Sequence, residues 1–224
     1  MSVISPILLS VRIAAIATVL TFLVGLGLAR IFATHRVPLR GVWEAILLPL
    51  VFPPTITGYL LLVVFGRRGL LGGILAQAGV QVVFTWAAAV IASFVVSLPL
   101  MYQNCKAALR AVEPQYARAA RTLGVSEGRI FRRVTLPIAA PGILAGTALS
   151  FARALGEFGA TLMAAGNIPG RTQTIPLAIY SAVEAGRSGE ANILLGVTVA
   201  LSFILVAVVS WSERRMFFPG RDGR

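Results

Sequence analysis

The sequence has very few of the residues that build catalytic centres and covalent cross-links. Its 224 residues include one cysteine, Cys105, one histidine, His35, and eight acidic residues. A single cysteine excludes a disulfide within the chain and a cysteine-only metal cluster, and a single histidine leaves no HExxH or histidine-rich site. The phosphate-binding pattern GxxxxGK[ST] is also absent. We therefore expect no catalytic residue, no metal site and no cofactor bound by this chain.

Charged residues are scarce as well, at 12% of the chain, whereas hydrophobic residues make up 57%. Together with a mean hydropathy of +0.85, this composition indicates a membrane protein. The net charge of +12 does not indicate nucleic-acid binding, because the basic residues lie near the ends of apolar segments. An intramembrane hydrolase is equally disfavoured, since it needs a base at membrane depth and His35 lies in a basic loop.

Five apolar segments are long enough to cross a bilayer, and they predict an all-α integral membrane protein with a single transmembrane domain over residues 1–224. The predicted spans are residues 7–32, 43–65, 82–101, 138–163 and 191–211. If the polar interval 103–137 is cytoplasmic, 14 of the 20 Lys and Arg residues fall on the cytoplasmic side. The positive-inside rule then places the N-terminus outside and the C-terminus inside, with Arg67 and Arg68 as exceptions.

Within that polar interval, residues Glu113 to Pro137 predict two short helices joined by a hinge. Pro114 suits a first helical position, and Gly124 suits a left-handed C-terminal cap. Ser126 can then cap a second helix, which ends before Pro137. Such a segment is suited to docking on a partner.

The spacing within this interval also matches a family pattern: Glu-Ala-Ala, three residues, Gly, nine residues, an aliphatic residue, one residue, Leu-Pro. The matching residues are Ala119, Ala120, Gly124, Val134, Leu136 and Pro137. The chain therefore resembles the inner-membrane permease subunits of ABC importers. Arg118 stands where the family has Glu, so the resemblance assigns no Glu contact here.

The second predicted span contains three prolines, Pro49, Pro53 and Pro54, and one glycine, Gly58. Prolines remove backbone donors, so this helix must bend or break, and the freed carbonyls need polar partners in lipid. One interpretation is a kinked helix packed on its neighbours. The other is an unwound segment that lines a solute path, with Thr55 and Thr57 as polar groups. Both interpretations remain open.

The fourth predicted span contains Arg153 and Glu157, one helical turn apart. Ionisable groups at that depth are costly, so they should face protein or water and pair. They form either a structural ion pair or a gate at the mouth of a pathway. The small residues around them suit close helix packing, either within the chain or between two copies.

After this span, the apolar piece Ile175 to Val183 is too short to cross, so it should lie at the interface or dip back between spans. Before it, Arg171, Thr172, Gln173 and Thr174 are all hydrogen-bond donors, which suits either a passing oxyanion or a solvated turn. The full set of pathway and gate candidates is Pro53, Pro54, Thr55, Thr57, Arg153, Glu157, Thr161, Asn167, Arg171, Thr172 and Thr174.

Two runs narrow the resemblance. Leu155 to Tyr180, LGEFGATLMAAGNIPGRTQTIPLAIY, and Pro53 to Tyr59, PPTITGY, look like the permeases of molybdate and tungstate importers, with sulfate permeases as more distant relatives. The resemblance implies a homodimer in a prokaryotic inner membrane, two cytoplasmic ATPase subunits that hold ATP and Mg²⁺, and an outer oxyanion-binding protein. A sulfate or thiosulfate permease is the main alternative. A passive channel or scaffold would leave Glu113 to Pro137, which we call the docking interval, unexplained.

Overall fold

The computed structural model describes residues 3–34 and 44–217, and within these ranges every regular element is a helix. The helices are α1 Ile4–Thr34, α2 Leu48–Val51, α3 Pro54–Phe65, α4 Leu70–Gln77, α5 Trp86–Arg110, α6 Pro114–Thr122, α7 Glu127–Ile130, α8 Leu136–Leu155, α9 Gly159–Ala165, α10 Ile175–Glu184 and α11 Ser188–Phe217. A 3₁₀ turn, Glu44–Leu47, precedes α2, and a π-helical turn, Phe131–Thr135, joins α7 to α8. The predicted all-α class is confirmed.

Within residues 3–34 and 44–217, four helical stretches are long and apolar enough to cross a membrane: Ile4–Phe32, Trp86–Arg110, Glu127–Leu155 and Ser188–Ala207. A fifth crossing is formed if α3 and α4, which are bent by 44° relative to each other, act as one span. The prediction of about five spans is therefore confirmed in number. The predicted orientation stays a prediction. Several of the basic residues on which the predicted orientation depends lie outside the described residues. They include Arg36, Arg40, Arg221 and Arg224.

Helix α5 lies at the centre of the bundle and packs against α1 and α8. Small residues allow the close approach: a Cβ on Gly146 would lie 2.5 Å from Asn104 Cβ, and one on Gly142 would lie 2.7 Å from Ala108 Cβ. In lipid, van der Waals packing of this kind holds helices together, since burial from water contributes little. Beside this contact lies a cluster of buried side chains: Ala29, Met101, Tyr102, Cys105, Leu109, Ala139 and Ile143.

The second predicted span, 43–65, is not one helix. Helix α2 ends at Val51, and α3 starts again at Pro54, because neither Pro53 nor Pro54 can donate a backbone hydrogen bond. The predicted start at Trp43 lies outside the described residues. The stretch 66–81, which separates the second and third predicted spans, contains α4.

The fourth predicted span, 138–163, is also broken. Helix α8 ends at Leu155, and α9 begins at Gly159, so Glu157 lies in the break instead of one turn along a continuous helix. Glycine at positions 156 and 159 explains the stop, since the backbone there is poorly suited to a helix interior. The other predicted spans match helices with shifted ends, most clearly the third, which starts at Trp86 and continues to Arg110.

The short apolar helix α10 packs against α11 and contacts α1. Its inward side chains Ile175, Leu177, Ala178 and Ala182 are buried. Its first backbone N–H, that of Ile175, donates to Ser10 Oγ of α1 at 2.7 Å. The expected short segment is therefore anchored in the bundle.

Candidate functional site

The two breaks in the predicted spans lie side by side. A Cβ on Gly159 would lie 3.1 Å from Pro54 Cβ, and one on Gly58 would lie 2.7 Å from Met163 Cβ and 2.8 Å from the Ala160 carbonyl oxygen. Residues early in α3 thus face residues early in α9, and later residues face later ones. The two helices run parallel and start at the same level. We call these residues, 53–58 and 157–163, the paired break.

Two buried hydroxyls at the paired break have no hydrogen-bond partner within the described chain. They are Thr57 Oγ1 on α3 and Thr161 Oγ1 on α9. Unpaired buried hydroxyls cost free energy, so they mark a place where water, a solute or another chain supplies the partner. Pro53, Pro54 and Thr55, by contrast, are exposed on the surface of the single chain.

Glu157 is the buried acid at this site, with 2% of its surface exposed. Its Oε1 accepts a hydrogen bond from the backbone N–H of Ala160 at 2.8 Å, and its Oε2 lies 2.7 Å from Arg153 Nη1. That second contact is an ion pair without hydrogen-bond alignment. The Arg153 side chain is 31% exposed, so the pair joins the interior of the bundle to its surface. The predicted pairing is found, although a break, not a helical turn, brings the two groups together.

Several polar side chains of the loop after α9 form hydrogen bonds within the loop or to the helix that follows it. Thr172 Oγ1 accepts from the Ile168 N–H at 3.0 Å and donates to the Gly166 carbonyl at 3.1 Å. Gln173 Nε2 donates to Asn167 Oδ1 at 3.0 Å, and Asn167 Nδ2 donates to Ser181 Oγ at 2.6 Å.

Two polar groups of this loop lie outside that network. Thr174 Oγ1 is buried without a partner in the described chain, whereas the Arg171 side chain is exposed. Two of the four donors expected for an oxyanion, Thr172 and Gln173, therefore hold the loop in shape.

The docking interval has the predicted form of helix, hinge, helix. Helix α6 ends at Thr122, Gly124 has φ +73°, and α7 begins after Ser126. Ser126 makes no side-chain cap, and the second helix does not end before Pro137, because α7 continues through the π-helical turn into α8. These two parts of the prediction are wrong. Leu123, next to the hinge, is 81% exposed.

An ion pair that the sequence did not reveal closes the hinge. Arg121 binds Glu127 through two hydrogen bonds, one of them from Nη2 to Oε2 at 3.1 Å. The guanidinium lowers the pKa of the Glu127 carboxyl, and the carboxylate raises the pKa of Arg121. Both groups stay charged at neutral pH, so α6 and α7 are tied across Gly124.

The remaining residues of the family pattern lie on the path from the hinge into the bundle. Arg118 and Ala119 are exposed on α6, where Ala120 is half-buried. Val134 belongs to the π-helical turn, and Leu136 and Pro137 open α8. A π-helical turn is rare and is frequently found at functional sites. The docking interval is thus continuous with the long helix α8, which carries Arg153 in its last turn.

The sequence and the fold both match those of known proteins. The family model of the binding-protein-dependent transport system inner membrane component matches residues 21–218. The chain is 41% identical over 212 residues to the Escherichia coli K12 molybdenum transport system permease protein ModB, with 93% of this chain and 92% of that protein covered. It is 42% identical to a putative molybdenum permease of Bacillus subtilis, YvgM, with 90% of both chains covered.

A more distant relative and a solved structure complete the comparison. The sulfate permease CysT of Salmonella typhimurium is 33% identical, with 90% of this chain and 73% of that protein covered. The MetNI methionine ABC transporter, solved in an inward-facing conformation, superposes with a TM-score of 0.77 at 17% identity, covering 96% of this chain and 99% of that one. At that identity the likeness shows the fold alone.

Proposed function

Because this chain belongs to the family of binding-protein-dependent transport system inner membrane components, we propose that it is the permease subunit of an ATP-driven importer of molybdate. The carrying observation is the 41% identity to a molybdenum permease over 93% of the chain, against 33% to a sulfate permease. The chain is a multi-pass membrane protein, and its relatives are transport permeases, not enzymes. Tungstate shares the charge and nearly the size of molybdate, so we propose it as a second substrate.

The paired break supports a solute path. Helix α3 begins beside α9, two residues after α2 ends. Discontinuous helices that restart near the bilayer midplane are a known way to build an anion site. The positive end of the α3 dipole and the unpartnered hydroxyls of Thr57 and Thr161 suit a dianion without a fixed cation. Weak binding of this kind lets the anion leave again.

The Arg153–Glu157 pair acts in this proposal as a gate. Glu157 alone would repel a dianion, and Arg153 neutralises it while the gate is shut. Asn167, Arg171, Thr172 and Thr174 then belong to the outer loop that leads to the gate. Only Arg171 and Thr174 have groups that the loop itself does not use.

Assembly follows the family plan in this proposal. Two copies of the chain form the path, and two cytoplasmic ATPase subunits bind the docking intervals. An outer binding protein delivers the oxyanion. The chain itself binds no cofactor, and ATP and Mg²⁺ belong to the ATPase subunits. Small side chains at Ala119 and Ala120 let the α6 backbone enter a cleft, and the exposed Leu123 offers an apolar contact.

The test is ATP-dependent uptake into vesicles that contain the purified complex with its binding protein. Molybdate, tungstate, sulfate and phosphate are compared at equal concentration. We expect molybdate and tungstate to stimulate ATP hydrolysis and to accumulate, with sulfate and phosphate inactive. Sulfate uptake at an equal or higher rate would favour a sulfate or thiosulfate permease. Uptake that needs no ATP would favour a passive channel.

A further inference from the structure

Two arginines lie at the bend between α3 and α4. Arg67 and Arg68 follow Phe65, where α3 ends, and precede Leu70, where α4 begins. Both side chains are exposed. They are exceptions to the positive-inside rule, because the predicted orientation puts them on the outer side. The rule for cytoplasmic loops therefore does not explain their presence here.

Neither of these arginines has an acidic partner. Within the part of the chain that the structure describes, neither forms an ion pair or a hydrogen bond. The acids of the nearby outer loops are already engaged: Glu184 accepts a hydrogen bond from the Tyr180 hydroxyl at 2.6 Å, and Glu190 lies 2.9 Å from Arg187 Nη1. Guanidinium groups without an acid are costly at membrane depth. The bend therefore lies at the membrane surface.

The length of chain before the bend agrees with this placement. Residues 44–65 form the 3₁₀ turn, α2 and α3. At the helical rise they extend about 33 Å, which is enough to cross a hydrocarbon core of about 30 Å. Helix α4 has eight residues, so it is too short to cross by itself. The crossing is thus complete before the arginines, and α4 lies at the level of the lipid head groups.

Helix α4 turns large aliphatic side chains away from the protein. Leu70 is 85% exposed, Ile74 65% and Leu71 45%. On its other side α4 rests on the end of α3, where a Cβ on Gly72 would lie only 2.0 Å from the Gly66 carbonyl oxygen. A helix at the surface of a bilayer with an exposed apolar face inserts that face between the acyl chains.

A cavity of about 380 Å³ opens beside the bend. Arg67 and Gln81 contribute polar groups to its lining, and Leu62, Phe65 and Val80 contribute apolar ones. A phospholipid combines the same two kinds of surface. Its phosphate accepts charge-assisted hydrogen bonds from a guanidinium, and its glycerol and first acyl carbons suit an apolar wall. The cavity therefore fits a lipid head group.

We propose that Arg67, Arg68 and α4 form a phospholipid anchor. The two arginines bind lipid phosphates, and Leu70, Leu71 and Ile74 lie among the acyl chains. A second copy of the chain fits this face less well, because a two-fold contact would bring the arginines of both copies together. A soluble binding protein that docks and leaves would return the apolar face to water each time. The anchor fixes the outer end of α3, whose other end carries the paired break.

The first test measures the depth of α4 in the full complex, reconstituted in vesicles of phosphatidylethanolamine and phosphatidylglycerol. Native cysteines are replaced, and a nitroxide is attached at position 70 or 74. Its collision rates with oxygen, which concentrates in lipid, and with a neutral nickel chelate, which stays in water, are compared by electron paramagnetic resonance. Phe203, 73% exposed in α11, gives the lipid reference, and the exposed Ser188 gives the water reference.

We expect the ratio of oxygen to nickel collisions at positions 70 and 74 to be several-fold above that at position 188. A ratio equal to that at position 188 would overturn the anchor. Slow collisions with both reagents would show that protein covers the helix and would overturn it as well. Dipolar broadening between two labels would then identify a second copy. Shielding that needs the binding protein would identify that protein.

The second test counts the phospholipids that stay bound to the purified complex, by mass spectrometry. The double variant Arg67→Gln, Arg68→Gln should retain about one phospholipid fewer per permease chain, because the phosphate loses its cations. The double variant with lysine at both positions keeps the charges and should stay near wild type. Arg187→Gln is the matched control, since Arg187 is an exposed arginine on the same predicted side that has an acidic partner.

The outcomes of this second test are distinct. Wild-type retention in the double glutamine variant, or an equal loss in Arg187→Gln, would overturn the anchor. Inorganic phosphate or molybdate at millimolar concentration should not displace the retained lipid. Displacement would show that the arginines hold a soluble oxyanion instead of a lipid. If the double glutamine variant does not assemble, the collision ratios at positions 70 and 74, measured with both arginines present, still decide.

Discussion

At the scale of single residues, Glu157 makes two polar contacts at the break between α8 and α9. It holds the first turn of α9 through the Ala160 N–H, and it faces Arg153 across the break. A carboxylate that is 2% exposed needs both contacts, because each removes part of the cost of burying its charge. The two contacts thus stabilise the buried carboxylate whether or not the pair also gates.

A double-variant cycle separates these roles. Glu157→Gln leaves Arg153 without its acid, and if the pair is a gate, uptake or basal ATPase activity should change more than the amount of folded protein. If the pair is structural only, breaking it costs roughly 3–5 kcal/mol and each single variant lowers the folded amount. The measurements are protein level and uptake for wild type, Arg153→Met, Glu157→Gln and the double variant.

The double variant distinguishes the gate from a purely structural ion pair. Removing both charges relieves the unpaired group, so folded protein should recover in either case. Under the gate hypothesis uptake stays low or loses its regulation. Full recovery of uptake would leave only the structural role.

Gly124 gives a second prediction at this scale. Its positive φ of +73° favours glycine at this position. Crowding is not the reason, since nothing lies within 4 Å of a Cβ built there. Gly124→Ala should cost about 1–2 kcal/mol in the hinge and weaken binding of the ATPase by about tenfold or more. Gly128→Ala is the matched control, because Gly128 also has open space but lies in α7 without a positive φ. Co-purification of the ATPase at wild-type yield with Gly124→Ala would contradict the assigned hinge.

At the scale of elements, the contact between α3 and α9 is the feature that organises the proposed path. Neither helix is long enough to cross a membrane alone. Each helix begins after a break in a predicted span, and the two breaks lie side by side. Since the freed backbone groups must find partners away from lipid, meeting inside the protein satisfies that requirement.

Gly58 tests this arrangement. A Cβ there would lie 2.8 Å from both the Cα and the carbonyl oxygen of Ala160, which are backbone atoms that cannot rotate away. Gly58→Ala should therefore lower the free energy of unfolding by about 1–3 kcal/mol through overpacking. Gly196→Ala in α11, where a Cβ meets nothing within 4 Å, should not lower it. The check is thermal unfolding in detergent, and equal midpoints for the two variants would argue against the close contact.

At the scale of the whole molecule, orientation in the membrane is decided by charge and not by the helix bundle. The bundle itself packs equally well in either direction. The distribution of Lys and Arg predicts that the docking interval lies inside and the N-terminus outside.

Cysteine labelling tests this orientation. A cysteine at position 171 or 187 should react with an impermeant maleimide added outside intact cells, because both side chains are exposed on loops that the rule puts outside. A cysteine at position 221 should react only after the cells are opened. Reaction of position 171 only from the cytoplasmic side would overturn the orientation and the five-span topology together.

Much of this protein follows from the sequence alone, because a bilayer imposes strong and simple rules. Apolar length predicts the helices, and the confirmed all-α class needs no further information. The hinge at Gly124 is also visible, since glycine after a helical stripe is a strong local signal. The family pattern of Ala119 to Pro137 and the two runs around Pro53 and Leu155 indicate the same class of permease that the comparisons show.

The tertiary structure alone decided which polar groups are engaged and which are not. The sequence suggests donors for an anion at Thr172 and Gln173, but both serve the loop, because the chain returns on itself between Gly166 and Ser181. It suggests one continuous helix through Glu157, but the break there meets the break at Pro53 through contacts about 100 residues apart. Such pairings depend on which helices pack together, and hydrophobic length, the dominant signal in this sequence, does not specify the partner.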